Sequence, residues 1–492
     1  MRCVVFGATG YIGGRLVPEL VRAGHTVRAV ARDPAKLAEV PWRDQVEIVT
    51  GDVTDPASVA AAVAGQEVVY YLVHSLHQRG FVQLDRTAAQ TMAAAARPSG
   101  VRRIVYLGGL TPDDERLSAH LASRAEVGEI LLGSGVPTIV LRAAVIIGSG
   151  SASFEMLRYL TERLPAMVTP RWVNSLVQPI AVRDVVHYLT AAAAVPDELN
   201  RAFDIGGPDV FSYREMMRRY ARVAGLPRRL VVPVPVLTPW LSAQWVNLVT
   251  PVPRSIAVPL IKSLVHEMVC RDSDITRYIA EPEGGLTPYD RAIELALTRT
   301  RQADVPTRWS DAAPATDPSD PLPTDPEWSG GTRYEDVRER HTTASAALLW
   351  EVVESIGGEQ GWYSWPLAWS VRGWIDRLAG GAGLRRGRRH PRRLRTGEAL
   401  DWWRVEHLDR PRLLRLRAEM KVPGRAWLEM SVTPDPGGGS VYRQRAVFEP
   451  RGLAGNLYWK AVTPFHRLIF DGMARQITAA AEHEPTRKDV AT

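Results

Sequence analysis

The chain has 492 residues, enough for two or three domains that each bury a core. Hydrophobic residues make up 45% and charged residues 23%, ordinary for a globular protein, and a net charge of +7 over this length does not by itself argue for a nucleic-acid partner. Two cysteines, Cys3 and Cys270, offer no disulfide framework and fit a reducing, cytoplasmic setting, and the apolar start is consumed by a glycine turn, which argues against a signal peptide.

Arg2–Phe6 predicts a first strand that stops on Gly7, Gly10 and Gly13. A helix opens at once, with Ile12, Leu16 and Leu20 on one stripe, Pro18 set to kink it and Gly24 closing it. Glycines let the backbone approach a ligand, and the free N–H groups at a helix start favour a phosphate. With a second strand at Thr26–Ala31, the order strand, turn, helix, strand makes a βαβ unit of the dinucleotide-binding kind. Further strands are expected at 46–49, 68–73, 103–107 and 138–142, with helices at 81–97 and 117–132 between them. Such alternation predicts an α/β fold, a doubly wound parallel sheet with helices on both faces. Beyond it, 153–163, 183–194 and 212–224 read as helices of a smaller substrate lobe that continues to about residue 300.

Arg32 follows the second strand, where an acidic residue would select the ribose of NAD and an arginine suits the extra phosphate of NADP. The sequence therefore favours NADP(H), with Asp33 keeping NAD(H) as the alternative and a plain surface arginine as the bland reading. Gly51-Asp52-Val53 ends the third strand, where a carboxylate can accept from an adenine amino group; helix capping is the competing role, better filled by Thr54 or Asp55. His74 ends the fourth strand at the same edge, a candidate for contact with ribose or nicotinamide against an equal case for a structural histidine.

These motifs, with Phe203-Asp204-Ile205-Gly206-Gly207-Pro208, resemble the extended short-chain dehydrogenase/reductases, nearest to their atypical NmrA-like branch, over roughly residues 1–300. The resemblance implies a Rossmann domain whose C-terminal part completes a substrate cleft, with Thr9, Gly10, Tyr11 and Ile12 at the pyrophosphate and Asp52 with Val53 at the adenine. It also implies a Tyr-x-x-x-Lys pair and a serine, and this chain departs there: Leu107-Gly108-Gly109-Leu110 has no serine, and the helix offers His120-Leu121-Ala122-Ser123-Arg124. His120 is the candidate general acid and Arg124 the candidate ribose holder; an arginine does not shuttle protons, and an ordinary surface turn of helix is the competing reading.

Leu230 to Pro253 carries no charge, but its prolines leave only 240–250 as a helix, too short to span a bilayer. It reads as a wall over the cleft or, second, as a peripheral membrane contact. Aspartates and prolines crowd residues 301–332, a linker. Residues 333–482 hold nine of the fifteen tryptophans: a helix at 344–356, period-two runs such as Leu414, Leu416, Ala418 and Met420, and a long helix from Asn456 interrupted by Pro464, then a tail at 483–492. Gly361-Trp362-Tyr363, Leu400-Asp401-Trp402-Trp403 and Arg425-Ala426-Trp427-Leu428 make this α+β module resemble the START/Bet v 1-like helix-grip domains, in the version of unknown function fused to atypical short-chain dehydrogenases. That resemblance implies a cavity for a flat or apolar ligand; rings that merely fill a core are the other reading. Seven arginines between 385 and 395 read as a solvated loop, with an anionic surface next. No metal-ligand spacing occurs.

Together these features point to an NADP(H)-dependent reductase of an apolar carbonyl or quinone-like compound. A non-catalytic NADP(H) sensor or scaffold, or a lipid or isoprenoid carrier regulated by nucleotide, are the rivals.

Overall fold

A computed structural model of the chain describes residues 1–38, 40–76, 78, 80–112, 117–234, 249–250, 252–303, 331–357, 362, 393–420 and 422–483. The chain divides into two compact units, Met1–Gly331 and Thr332–Thr492.

The first unit is built on seven parallel strands: β1 (Arg2–Phe6), β2 (Thr26–Ala31), β3 (Glu47–Thr50), β4 (Val68–Tyr71), β5 (Arg103–Gly109), β6 (Thr138–Ala143) and β7 (Arg201–Ile205). They lie in the order β7-β6-β5-β4-β1-β2-β3, so the direction of winding reverses between β1 and β4. Helices α1 (Tyr11–Arg22), α2 (Pro56–Val63), α3 (Phe81–Ala96) and α4 (Ala119–Leu132) connect them. Alternate residues of β1 go to opposite faces. Cys3 and Val5 meet Leu16 and Leu20 of α1, whereas Val4 and Phe6 meet Val59 of α2, Met92 of α3 and Val127 of α4. Each such aliphatic side chain contributes about 1.5–3 kcal/mol by leaving water. The doubly wound α/β fold expected from the alternation is the fold observed.

The lobe packs α5 (Ala152–Arg163), α6 (Val182–Ala191), α7 (Tyr213–Val223), α8 (Arg254–Ser263) and α9 (Tyr289–Ala303) with three short strand pairs. Phe154, Met216, Tyr220 and Ile293 centre its own apolar cluster. Most of the 240–250 segment and of the linker, all but two of the clustered arginines, and the tail lie outside the described residues.

The second unit is a six-stranded antiparallel sheet of β8 (Tyr334–Thr342), β9 (Ala399–Leu400), β10 (Trp403–Asp409), β11 (Leu413–Ala418), β12 (Gly424–Pro434) and β13 (Ser440–Pro450), in the order β8-β13-β12-β11-β10-β9. Leu416, Leu428, Met430 and Tyr442 on one face bury Leu349 and Val353 of α10 (Ala346–Glu354) and Met473 and Ile477 of α11 (Gly452–His483). The interruption expected at Pro464 is absent: α11 is a single helix. Pro464 and Lys460 are both exposed, so solvent can reach the carbonyl that the proline leaves without a helical donor.

Candidate nucleotide and substrate site

Three glycines shape the bend between β1 and α1. Gly7 has φ +92°, which side-chained residues avoid, and a Cβ there would lie 2.7 Å from the carbonyl oxygen of Leu72, just past β4. A Cβ on Gly13 would lie 2.2 Å from the Gly7 carbonyl oxygen. Gly10 donates 2.9 Å to that same oxygen, closing the turn. Gly10 is also the N-cap of α1; it supplies no side-chain acceptor, and the first turn carries no acid. The positive end of the helix is therefore open at the crevice where strand order reverses, the arrangement that takes a diphosphate. Thr9 and Ile12 are half-buried around it. The Tyr11 hydroxyl approaches Gly148, where an added Cβ would lie 2.3 Å from it, and the Arg15 guanidinium lies 4.2 Å from the ring centroid.

Arg32 is exposed one residue beyond β2 and has no hydrogen bond or ion pair among the described residues. Asp33 caps the following turn, accepting from the Ala35 N–H at 3.1 Å. Asp52 is half-buried, and its Oδ1 accepts from the Thr54 N–H at 2.9 Å and the Thr54 hydroxyl at 2.7 Å; these bonds hold its carboxyl below the usual range, helped by Arg32. Asp55 caps α2. Val53 is partly buried against the apolar layer beneath α2 and α3.

His74 is exposed on the loop after β4. The next residue ties that loop down: the Ser75 N–H donates 2.8 Å to buried Asp85 of α3, which also receives the Ser123 hydroxyl of α4 at 3.4 Å. Burial raises the Asp85 carboxyl above its ordinary value. Sequence reasoning missed this triad, although an acid in the alanine-rich run Phe81–Ala96 is the signal that marks it.

The two catalytic candidates part ways. Arg124 donates to the Leu107 carbonyl at the end of β5, and its guanidinium lies 5.1 Å from the Tyr106 ring centroid. His120 is half-buried, with Nδ1 3.3 Å from the Ser263 hydroxyl of α8. Burial, and then Arg124, push its imidazole down to about 4, so it is neutral at pH 7. At the edge of the parallel sheet, Asp204 of β7 is buried and accepts from Arg142 of β6 at 2.7 Å and from the Arg271 N–H at 3.1 Å, which ties the Phe203–Pro208 segment into the structure.

Residues 7–135 match the family model described as NAD(P)H-binding. The first unit carries an NAD(P)H-binding Rossmann domain. Residues 328–473 match a protein family of unknown function (DUF2867). The chain is 29% identical over 270 residues to a ceramide reductase of Caulobacter vibrioides, covering 53% of this chain and 83% of that protein. It is 25% identical over 242 residues to subunit 9 of the mitochondrial NADH dehydrogenase [ubiquinone] 1 alpha subcomplex of Arabidopsis thaliana, covering 47% of this chain and 60% of that one. In fold, the triphenylmethane reductase of Citrobacter sp. superposes with a TM-score of 0.50 at 21% identity, over 61% of this chain and all of the other. Among the described residues no three metal-ligating side chains converge, and no helix is long and apolar enough to cross a membrane.

Proposed function

We propose that this chain is an NADP(H)-dependent reductase of an apolar carbonyl or quinone-like compound, with residues 1–300 forming the catalytic domain, 301–332 a linker and 333–482 a ligand-binding module. The observation that carries the reading is the uncapped start of α1 at Gly10, set in a bend where Gly7 and Gly13 leave no room for a side chain. The amides of Thr9, Tyr11, Ile12 and Gly13 bind the diphosphate, the Gly10 amide being taken by the Gly7 carbonyl. Arg32, unengaged among the described residues, pairs with the 2′-phosphate, while Asp33 is spent on its own turn and Asp52 keeps Oδ2 for the adenine amine. The bound cofactor supplies hydride from its nicotinamide. His74 lies along the ribose, and the Asp85–Ser75 bond fixes the loop that carries it. His120 meets the substrate, and Arg124 holds the end of β5 beneath it. The ceramide reductase among the relatives supports an apolar, lipid-like substrate.

The second unit is read as a START/Bet v 1-like module for an apolar ligand. Its support is the apolar inner face of the sheet, where the Gln444 amide nitrogen is buried without a partner among the described residues. One observation favours a non-catalytic NADP(H)-holding role instead: the Leu107–Leu110 segment has no serine, and His120 and Arg124 stand in place of the tyrosine and lysine. Measuring NADPH affinity beside NADPH consumption over a panel of long-chain ketones and quinones decides between them. Consumption establishes the reductase; tight binding with none establishes the scaffold.

A further inference from the structure

We infer that Ser263 fixes His120 as the tautomer protonated on Nδ1, so that Nε2 is offered as an acceptor and the substrate carries a hydroxyl or amide N–H beside its reacting carbonyl. The inference rests on the reductase reading for the word substrate; the tautomer itself does not. It follows from counting protons. The carbonyl of Pro259 has none to give, so the 3.0 Å bond between it and the Ser263 hydroxyl uses the only proton of Ser263. Ser118 caps α4 by accepting from the Leu121 N–H at 3.2 Å, which leaves its own proton for Ser263, 2.8 Å away. Ser263 is thereby the acceptor in its remaining contacts. One of these is His120 Nδ1 at 3.3 Å, and a nitrogen facing an acceptor must bring the proton. The longer distance to Nδ1 than to the Pro259 carbonyl agrees with the hydroxyl pointing at the carbonyl.

A neutral imidazole has one N–H. With it on Nδ1, Nε2 carries a lone pair. That atom is not among the buried orphans, and His120 has no further partner among the described residues, so with respect to them Nε2 is left available to a ligand. The nearby Arg124 charge opposes a second proton. His120 therefore selects a donor on the ligand rather than protonating it. The serines are positioning residues: α4 brings Ser118 and His120, and α8 brings Ser263 from 143 residues away in sequence.

The test is nitrogen NMR on the full chain labelled with 15N-histidine, the His120 signals being assigned by their loss in His120→Asn. Nδ1 protonated and Nε2 bare in the unaltered protein, a mixture in Ser263→Ala and recovery in Ser263→Thr are the expected results. An Nε2–H signal in the unaltered protein overturns the inference, whatever the variants do. A kinetic arm compares 7-hydroxydodecan-6-one with its methyl ether, 7-methoxydodecan-6-one. The hydroxy ketone is expected to have a kcat/KM about tenfold higher, the worth of one hydrogen bond, and His120→Phe to erase the difference. Equal kcat/KM in the unaltered protein overturns the substrate class. Consumption of neither ketone with the Nδ1–H signal intact sinks the reductase reading and leaves the tautomer standing.

Discussion

The indole N–H of Trp42 donates 3.0 Å to the carbonyl of Gly14, and Gly14 is the residue whose helical donor Pro18 removes. Trp42 is 1% exposed, so the bond lies where water cannot substitute. A proline at the eighth position of the phosphate-facing helix thus has its repair supplied from the loop after β2. Trp42→Phe is expected to cost about 1–3 kcal/mol, the price of an orphaned buried carbonyl added to any packing change. In a Pro18→Ala background the restored N–H serves Gly14, and the cost of Trp42→Phe should shrink. Urea denaturation of the four proteins measures the coupling; additive losses refute it.

Gly13→Ala tests the bend directly. The new methyl would sit 2.2 Å from the Gly7 carbonyl oxygen, backbone against backbone, so the turn must open. NADPH titration followed by fluorescence should show no binding while circular dichroism still reports a folded chain; retained affinity would remove the diphosphate from this bend.

Arg32→Ala separates the two coenzymes. Loss of a charge-assisted contact with the 2′-phosphate is worth about 1.5–3 kcal/mol, roughly 10- to 100-fold in NADPH affinity. NADH binding should stay unchanged. Equal loss for both would make Arg32 a general electrostatic feature.

The His120 environment has a pH signature in stability. An unfolded histidine titrates near about 6.5, and in the folded chain this one is pushed down to about 4. Between those values the unfolded state binds the proton and the native state does not, so stability rises with pH across the window and falls as the solution is acidified through it. His120→Gln should flatten that part of the profile in thermal melts taken from pH 7 to 4. An unaltered profile would mean that the imidazole is not desolvated.

In the second unit, buried Glu354 of α10 accepts from Arg410 at 2.9 Å, the Leu394 N–H at 3.1 Å and the Trp350 indole at 3.0 Å. Glu354→Ala removes the ion-pair partner of Arg410 and strands two donors, the Leu394 N–H and the Trp350 indole, at once. Arg410 is half exposed and keeps the Leu394 carbonyl, so a loss of about 1–3 kcal/mol in chemical denaturation is expected, chiefly from the buried donors left unpaired.

Local chemistry made the first half of the fold legible. β1, the glycine bend and α1 are written in contiguous residues, and the alternation of apolar strands with helices fixes a parallel sheet whatever the details. β7 escaped notice because Arg201-Ala-Phe-Asp-Ile looks too polar for a strand, yet Asp204 is paired inside by Arg142. β8 escaped because its pattern alternates charge, as in Glu335, Arg338 and Glu339, which suits an edge strand that must resist further pairing. The bend of the nucleotide site could be read in advance; the Ser118–Ser263–His120 and Ser75–Asp85–Ser123 groups could not. Their members come from different elements, and no spacing in one sequence announces a meeting arranged by tertiary packing.

β8 opens the second unit, yet among the described strands it pairs only with β13, near the unit's far end, and Glu482 at the close of α11 accepts from the hydroxyl of Thr342 and the N–H of Thr343. During synthesis this module is therefore a late folder. Its opening residues leave the ribosome about a hundred positions before their mates exist, while the Rossmann half already has every strand it needs. The nascent chain carries a finished nucleotide domain ahead of an unclosed sheet, and premature termination anywhere between Pro434 and Glu482 leaves that sheet without its clasp.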